Sequence, residues 1–179
     1  MNKYIEKMYL LLYTKLKGEI LMADFSFRYA EKSDCKLILY FIRKLAEYEN
    51  MLDDVSATEE LLEEWIFEKK KAEVIFLCED GKEVGFALFF HNFSTFLGKS
   101  GIYLEDLYIL PEYRHKGYGK ATLKKLSEIA VERKCGRLEW CCLDWNQQSI
   151  DFYLSRGAVA LDDWTIYRLS GETLKKSAE

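Results

Sequence analysis

The sequence predicts an α/β fold, a mixed central sheet of about six or seven strands flanked by about four helices, with an extra helix ahead of it. Three observations carry this. Strand-like and helix-like patterns alternate from Met22 onward in the order β-α-α-β-β-β-α-β-α-β, and the later strand-helix-strand units force parallel neighbours. Asp80-Gly81 separates two β-rich runs and supplies the positive φ of a tight hairpin. The stretch Arg114 to Gly119 follows an apolar run and opens a helical pattern, placing a glycine loop at the carboxyl end of a strand, where ligands of open α/β sheets collect.

Each element has its own signal. Phe25 to Tyr29 alternates with period two, as a half-buried strand does. Ser33 caps a helix to about Tyr48, whose apolar face is Leu37, Ile38, Phe41, Ile42 and Leu45. Ser56-Ala-Thr-Glu59 resembles a capping box that opens a shorter helix through Leu61, Leu62 and Trp65. Val74 to Glu79 and Glu83 to Phe93 are the hairpin strands. After a polar loop, Ile102 to Leu110 forms the next strand and Pro111 ends its pairing. Gly117 to Arg133 reads as a helix, Arg137 to Leu143 as a strand, Asn146 as the cap of a helix ended by Gly157, and Thr165 to Leu169 as a last strand.

Composition narrows the function classes. With 179 residues, 49% hydrophobic and 15% aromatic, the chain supports one domain over 22–179. A net charge of -4 argues against nucleic acid, which is bound through clustered, uncompensated lysine and arginine. No apolar run approaches a membrane span, so no membrane partner is expected. Five cysteines without a Cys-x-x-Cys pair read as a reduced, cytoplasmic protein, and with only His91 and His115 besides, no metal site can be written. Cys141 and Cys142, in a β-run with Trp140, read as buried packing. Residues 1–21 stand apart: Ile5, Met8, Tyr9, Leu12 and Leu16 recur at helical spacing. Lys17-Gly18-Glu19 can be spelled by a purine-rich run containing GGAG shortly before the codon of Met22. Residues 1–21 are therefore expected to be a translated leader, with Met22 the native start.

The Arg114-His115-Lys116-Gly117-Tyr118-Gly119 stretch has the chemistry of a phosphate cradle. Glycine admits close backbone approach, and the first amides of a helix have no internal partner. An Arg-x-x-Gly-x-Gly pattern arises by chance in about one protein of this length in twenty to thirty, so neighbouring motifs decide. The Gly-x-Gly-x-x-Gly and Gly-Lys-Ser/Thr fingerprints are both missing.

Over roughly Phe25 to Leu169 the chain resembles the GNAT N-acetyltransferase superfamily, whose acetyl-CoA loop reads Arg/Gln-x-x-Gly-x-Gly/Ala after a central strand. More narrowly, four segments are similar to the diamine (spermidine/spermine) and thialysine acetyltransferases. They are Lys44-Leu-Ala-Glu-Tyr48-Glu49, Tyr103-Leu-Glu-Asp-Leu-Tyr-Ile-Leu-Pro-Glu-Tyr-Arg114, Trp145-Asn146 and Ile150-Asp-Phe-Tyr-Leu-Ser-Arg-Gly-Ala158. The resemblance implies the GNAT fold and acetyl-CoA as cosubstrate. Its pyrophosphate would be held by the amides of His115, Lys116, Gly117, Tyr118, Gly119 and Lys120 with Arg114, and its pantetheine by the backbone of Leu107, Tyr108 and Ile109. A strand amide near Leu107 would polarise the thioester carbonyl. Asn146 and Ser149 would approach the same cofactor.

The resemblance also implies Tyr153 as general acid for the departing thiolate; from its residues alone Tyr153 reads as a core aromatic beside Ile150 and Leu154. Deprotonating an amine of pKa near 10 requires a base, and Glu105, inside an apolar strand, is the candidate through water, against a structural ion pair with an arginine. Tyr48, Glu49, Glu105, Asp162 and Asp163 would bind a cationic acceptor, with Phe96 and Trp164 packing on it. Two departures bear on that acceptor. Phe96-Leu97-Gly98 stands where the polyamine enzymes usually carry tryptophan before Gly-Lys, and Asp162-Asp163 replaces a glutamate pair. The expected function is direct acetyl transfer to a diamine, a polyamine or a lysine-like amino acid, by a homodimer joined through its C-terminal strands. Acetylation of a peptide or protein amine, and a non-catalytic CoA-binding sensor, are the alternatives.

Overall fold

The computed structural model describes residues 24–179, so the N-terminal amphipathic pattern and Met22 lie outside the described residues. Two compact units form, the first ending at Cys141 and the second spanning Cys142–Glu179.

The first unit is built on strands β1 (Phe25–Tyr29), β2 (Glu73–Glu79), β3 (Lys82–Ser94), β4 (Lys99–Ile109) and β5 (Leu138–Trp140), with helices α1 (Cys35–Glu49), α2 (Glu59–Leu62, continued as a π turn to Glu68) and α3 (Tyr118–Glu132). The sheet order is β1-β2-β3-β4-β5, antiparallel except for the parallel β4–β5 pair. Among the described residues five strands are thus paired where six or seven were expected. The β2–β3 turn is the predicted one, with Asp80 at φ 51° and Gly81 at φ 77°.

Both faces of the sheet are covered, which is why β2 reads as an unbroken apolar run. On one face Ile38 and Phe41 of α1 pack with Ile66, Val74, Phe76, Phe86 and Tyr108, the Phe41 and Phe86 rings stacking at 5.5 Å. On the other, Tyr118 of α3 packs with Leu77 and Val84. Helix starts differ slightly from expectation. Asp34, not Ser33, precedes α1, accepting from the Glu31 amide at 2.8 Å, and Thr58, not Ser56, caps α2 by accepting from the Leu61 amide at 3.3 Å.

The second unit holds α4 (Gln147–Ser155) and α5 (Gly171–Lys176). The expected strand at Thr165 to Leu169 is absent from it. A strand needs a neighbour to pair its amides and carbonyls, and among the described residues of this unit there is none. α5 is unforeseen, although Ser170 precedes it and a Glu172–Lys175 ion pair at 2.6 Å spans its surface. Among the described residues no helix is long and apolar enough to cross a membrane.

Candidate active site

The site begins where two parallel strands separate. β4 pairs with β5 only from Ile102 to Leu104; from Glu105 onward its outer edge has no ladder partner among the described residues. Strand backbone groups alternate sides, and the Leu110 amide donates to the Val84 carbonyl of β3, so Asp106 and Tyr108 also face β3. Leu107 and Ile109 therefore turn their backbone groups to the open edge, and the Ile109 carbonyl is taken by Arg114 Nε at 3.0 Å.

A β-bulge sits at the point of separation. Leu88 opposes Asp106 and Phe89 opposes Leu104, which leaves Glu105 as the extra residue of β4. Glu105 is exposed and Asp106 half-buried. Burial, with the charges of Glu105 and Glu49 added, raises the Asp106 carboxyl to about 7. Glu49, half-buried as the last residue of α1, is itself raised by burial. Three carboxyls thus converge beside the open edge, two of them foreseen. Asp106 was not, because its neighbour Glu105 was read as the inward-facing acid.

The loop after β4 is held in an uncommon shape. His115 has φ 62° and Gly117 φ 87°, a left-handed pair that turns the chain into α3. No side chain caps the first turn of α3, so its leading amides and the helix dipole are available to an anion. The Arg114 side chain, expected to assist in holding that anion, packs on aromatic rings, and the neighbouring Lys116 side chain is bound to a carboxylate. The Arg114 guanidinium lies 4.8 Å from the Tyr48 ring and 5.4 Å from the Tyr108 ring, so Tyr48 buttresses the loop. Lys116 Nζ donates to Glu79 Oε1 at 2.8 Å and Oε2 at 2.9 Å. Tyr118, buried and stacked on Phe25 at 4.1 Å, also gives its hydroxyl to Glu79.

Tyr153, Asn146, Ser149, Asp162 and Asp163 belong to the second unit. The Asn146 side chain caps α4 by accepting from the Ser149 amide at 3.3 Å, and Gly157, at φ 89°, ends the helix. Tyr153 is half-buried with its ring 5.3 Å from Phe152, while Asp162 and Asp163 are exposed. Back in the first unit, Cys141 is exposed and accepts from the Tyr103 hydroxyl at 3.0 Å, correcting the expectation that it is core packing. β5 stops at Trp140, so the residue after it is no longer sandwiched in the sheet.

Comparison with known proteins follows the same outline. Residues 38–158 match the model of the acetyltransferase (GNAT) family. The chain is 36% identical to thialysine N-epsilon-acetyltransferase of Bos taurus over 169 residues, covering 88% of this chain and 99% of that protein. It is also 36% identical to spermidine/spermine N(1)-acetyltransferase-like protein 1 of Homo sapiens over 168 residues, which are 86% of this chain and 24% of the human one. Among solved structures, an integron cassette protein from the mobile metagenome of V. cholerae superposes with a TM-score of 0.73 at 28% identity, covering 87% of this chain and 98% of that one.

Proposed function

The chain belongs to the GNAT acetyltransferase family, and from that premise we propose that it transfers the acetyl group of acetyl-CoA to a primary amine of a small cationic acceptor, a diamine, a polyamine or a thialysine- or lysine-like amino acid. The convergence of Glu49, Glu105 and Asp106 beside an open strand edge carries the reading. Carboxylates there attract an ammonium group, and a carboxyl with a pKa near 7 suits removal of its proton at neutral pH.

The residues present fit coenzyme A. The uncapped start of α3 and the left-handed turn at His115 to Gly117 suit a pyrophosphate, as the unladdered backbone of Leu107 and the Ile109 amide suit an extended amide-bearing arm, the Ile109 carbonyl being held by Arg114. When bound, acetyl-CoA supplies the activated acyl group. The Leu107 amide is the donor available to a carbonyl laid along the edge. Glu105 and Asp106 form the base pair of the mechanism, Asp106 taking the proton and Glu105, on the exposed side of the bulge, holding the cation or a relaying water. From the resemblance to the family, Tyr153 is assigned the proton donation to the thiolate, Asn146 and Ser149 the role of cofactor ligands and Asp162 that of an acceptor ligand.

A cytoplasmic homodimer completes the reading. The segment after α4 leaves Trp164 75% and Tyr167 91% exposed, with Ile166 and Leu169 also open, a run of apolar residues suited to a second copy. Mass measurement in solution tests this; a monomer at micromolar concentration refutes it. The chemistry is tested by following CoA release with spermidine, putrescine, thialysine, lysine and a peptide panel. Turnover with the small cations is expected. Turnover with peptides alone would replace the reading by protein acetylation, and silence with tight CoA binding would replace it by a sensor.

A further inference from the structure

We infer that Glu79 is a positioning residue for the anion loop, holding the backbone of Lys116 to Tyr118 in its binding shape from the tip of the β2–β3 hairpin; this rests on the coenzyme A reading above. Lys116 and Tyr118 flank Gly117, and both side chains end on the one Glu79 carboxylate, Lys116 Nζ at 2.8 and 2.9 Å and the Tyr118 hydroxyl on Oε2. That carboxylate is only 11% exposed and belongs to the last residue of β2, paired with Lys82 across the Asp80-Gly81 turn. The anchor is therefore a rigid strand end.

The loop needs such an anchor. His115 at positive φ is poorly populated in a free chain, Gly117 is free to leave the left-handed region, and no side chain caps α3 to fix either. The second face of the clamp is apolar. Tyr118 stacks on Phe25 at 4.1 Å and packs with Leu77 and Val84, while Lys116 lies 4.8 Å from the Tyr113 ring. Neutralised by Glu79, Lys116 acts as a tether and leaves anion recognition to the amides. Lys116 draws the Glu79 carboxyl below its usual range, and burial beside Glu79 pushes the Tyr118 phenol up to about 12, so the clamp is intact across neutral pH.

Calorimetric titration with CoA tests the assignment. Releasing about one residue's worth of backbone order should raise the CoA Kd of Glu79→Ala about ten-fold, with kcat at saturating acetyl-CoA unchanged within about two-fold. Glu79→Gln, which retains one acceptor oxygen, should recover part of the affinity. Lys116→Met should weaken CoA similarly, and the double variant should be no worse than either single one. Should Glu79→Ala fail to fold, Tyr118→Phe carries the test, with an expected rise of about three-fold. Tighter CoA binding in Glu79→Ala would overturn the inference, since a freed Lys116 would then be contacting the phosphate directly. Unchanged affinity, additive effects or a loss confined to kcat would overturn it equally. Failure of the wild-type protein to bind CoA would instead remove the reading beneath it.

Discussion

Asp106→Asn should make the protein more stable and less active at the same time. The folded chain holds the Asp106 carboxyl at about 7, whereas an unfolded aspartate titrates near 3.9. Between those values the folded state binds the extra proton, so stability is full below about pH 4 and declines as pH rises through about 7. Three pKa units set a ceiling of about 4 kcal/mol, and because water reaches the half-buried side chain the retained penalty is on the order of 2 kcal/mol. The asparagine removes the ionisation and with it the penalty.

At pH 8 the variant should therefore gain about 2 kcal/mol, or about 4–8 °C in Tm, and at pH 4 it should gain nothing. Denaturant melts at both pH values measure the difference. In activity assays the loss of a general base should lower kcat/KM by about a hundred-fold and abolish the ascending limb expected of the wild type around pH 7. A variant destabilised equally at both pH values would mean that Asp106 is stabilised as an anion, contrary to its raised pKa. Full activity with the same limb would assign the proton to another group.

Three further outcomes follow from the same geometry. Gly117→Ala places a Cβ at φ 87°, which should cost about 1–2 kcal/mol in thermal melts and weaken CoA in titrations, while His115→Gly, at φ 62°, should leave stability unchanged or slightly raised. Phe41→Ala empties a fully buried site between Phe76 and Phe86 and should cost about 3–5 kcal/mol in urea unfolding. Tyr153→Phe should depress kcat far more than CoA affinity in paired kinetic and binding measurements; equal losses would remove it as the acid.

What the sequence made legible was governed by local chemistry. The Asp80-Gly81 hairpin, β1, β2 and the long helices α1 and α3 follow from turn preference and periodicity and appear within a few residues of expectation. The last strand did not, because its alternating apolar residues describe a strand only when another backbone lies beside them. α5 could have been found from Ser170 with Glu172 in the first turn and lysines in the last. The destinations of Arg114 and Lys116 are beyond any local pattern. Their partners, the Tyr48 and Tyr108 rings and the Glu79 carboxylate, are supplied by other elements once the sheet has formed.

The misplacement of the inward-facing acid has a single cause in the bulge at Glu105. Above it, Ile102 and Leu104 are buried on the α3 face, so strict alternation carries Asp106 to that face and leaves Glu105 beside Tyr103 on the α1 face. The extra residue reverses the parity. Below it Asp106 shares the α1 face with Tyr108, whose ring lies in the core with Ile38 and Phe41, and this brings its carboxyl under the influence of Glu49. The same reversal turns the backbone of Leu107 and Ile109 outward just where β5 departs. One inserted residue thus lets both halves of β4 stay in register with β3 while placing Asp106 on the α1 face and the backbone of Leu107 on the open edge. Deleting Glu105 would remove the bulge together with the carboxylate: Leu104 would directly precede Asp106, opposite Phe89 and Leu88, in a continuous ladder that keeps both residues on the faces they now have.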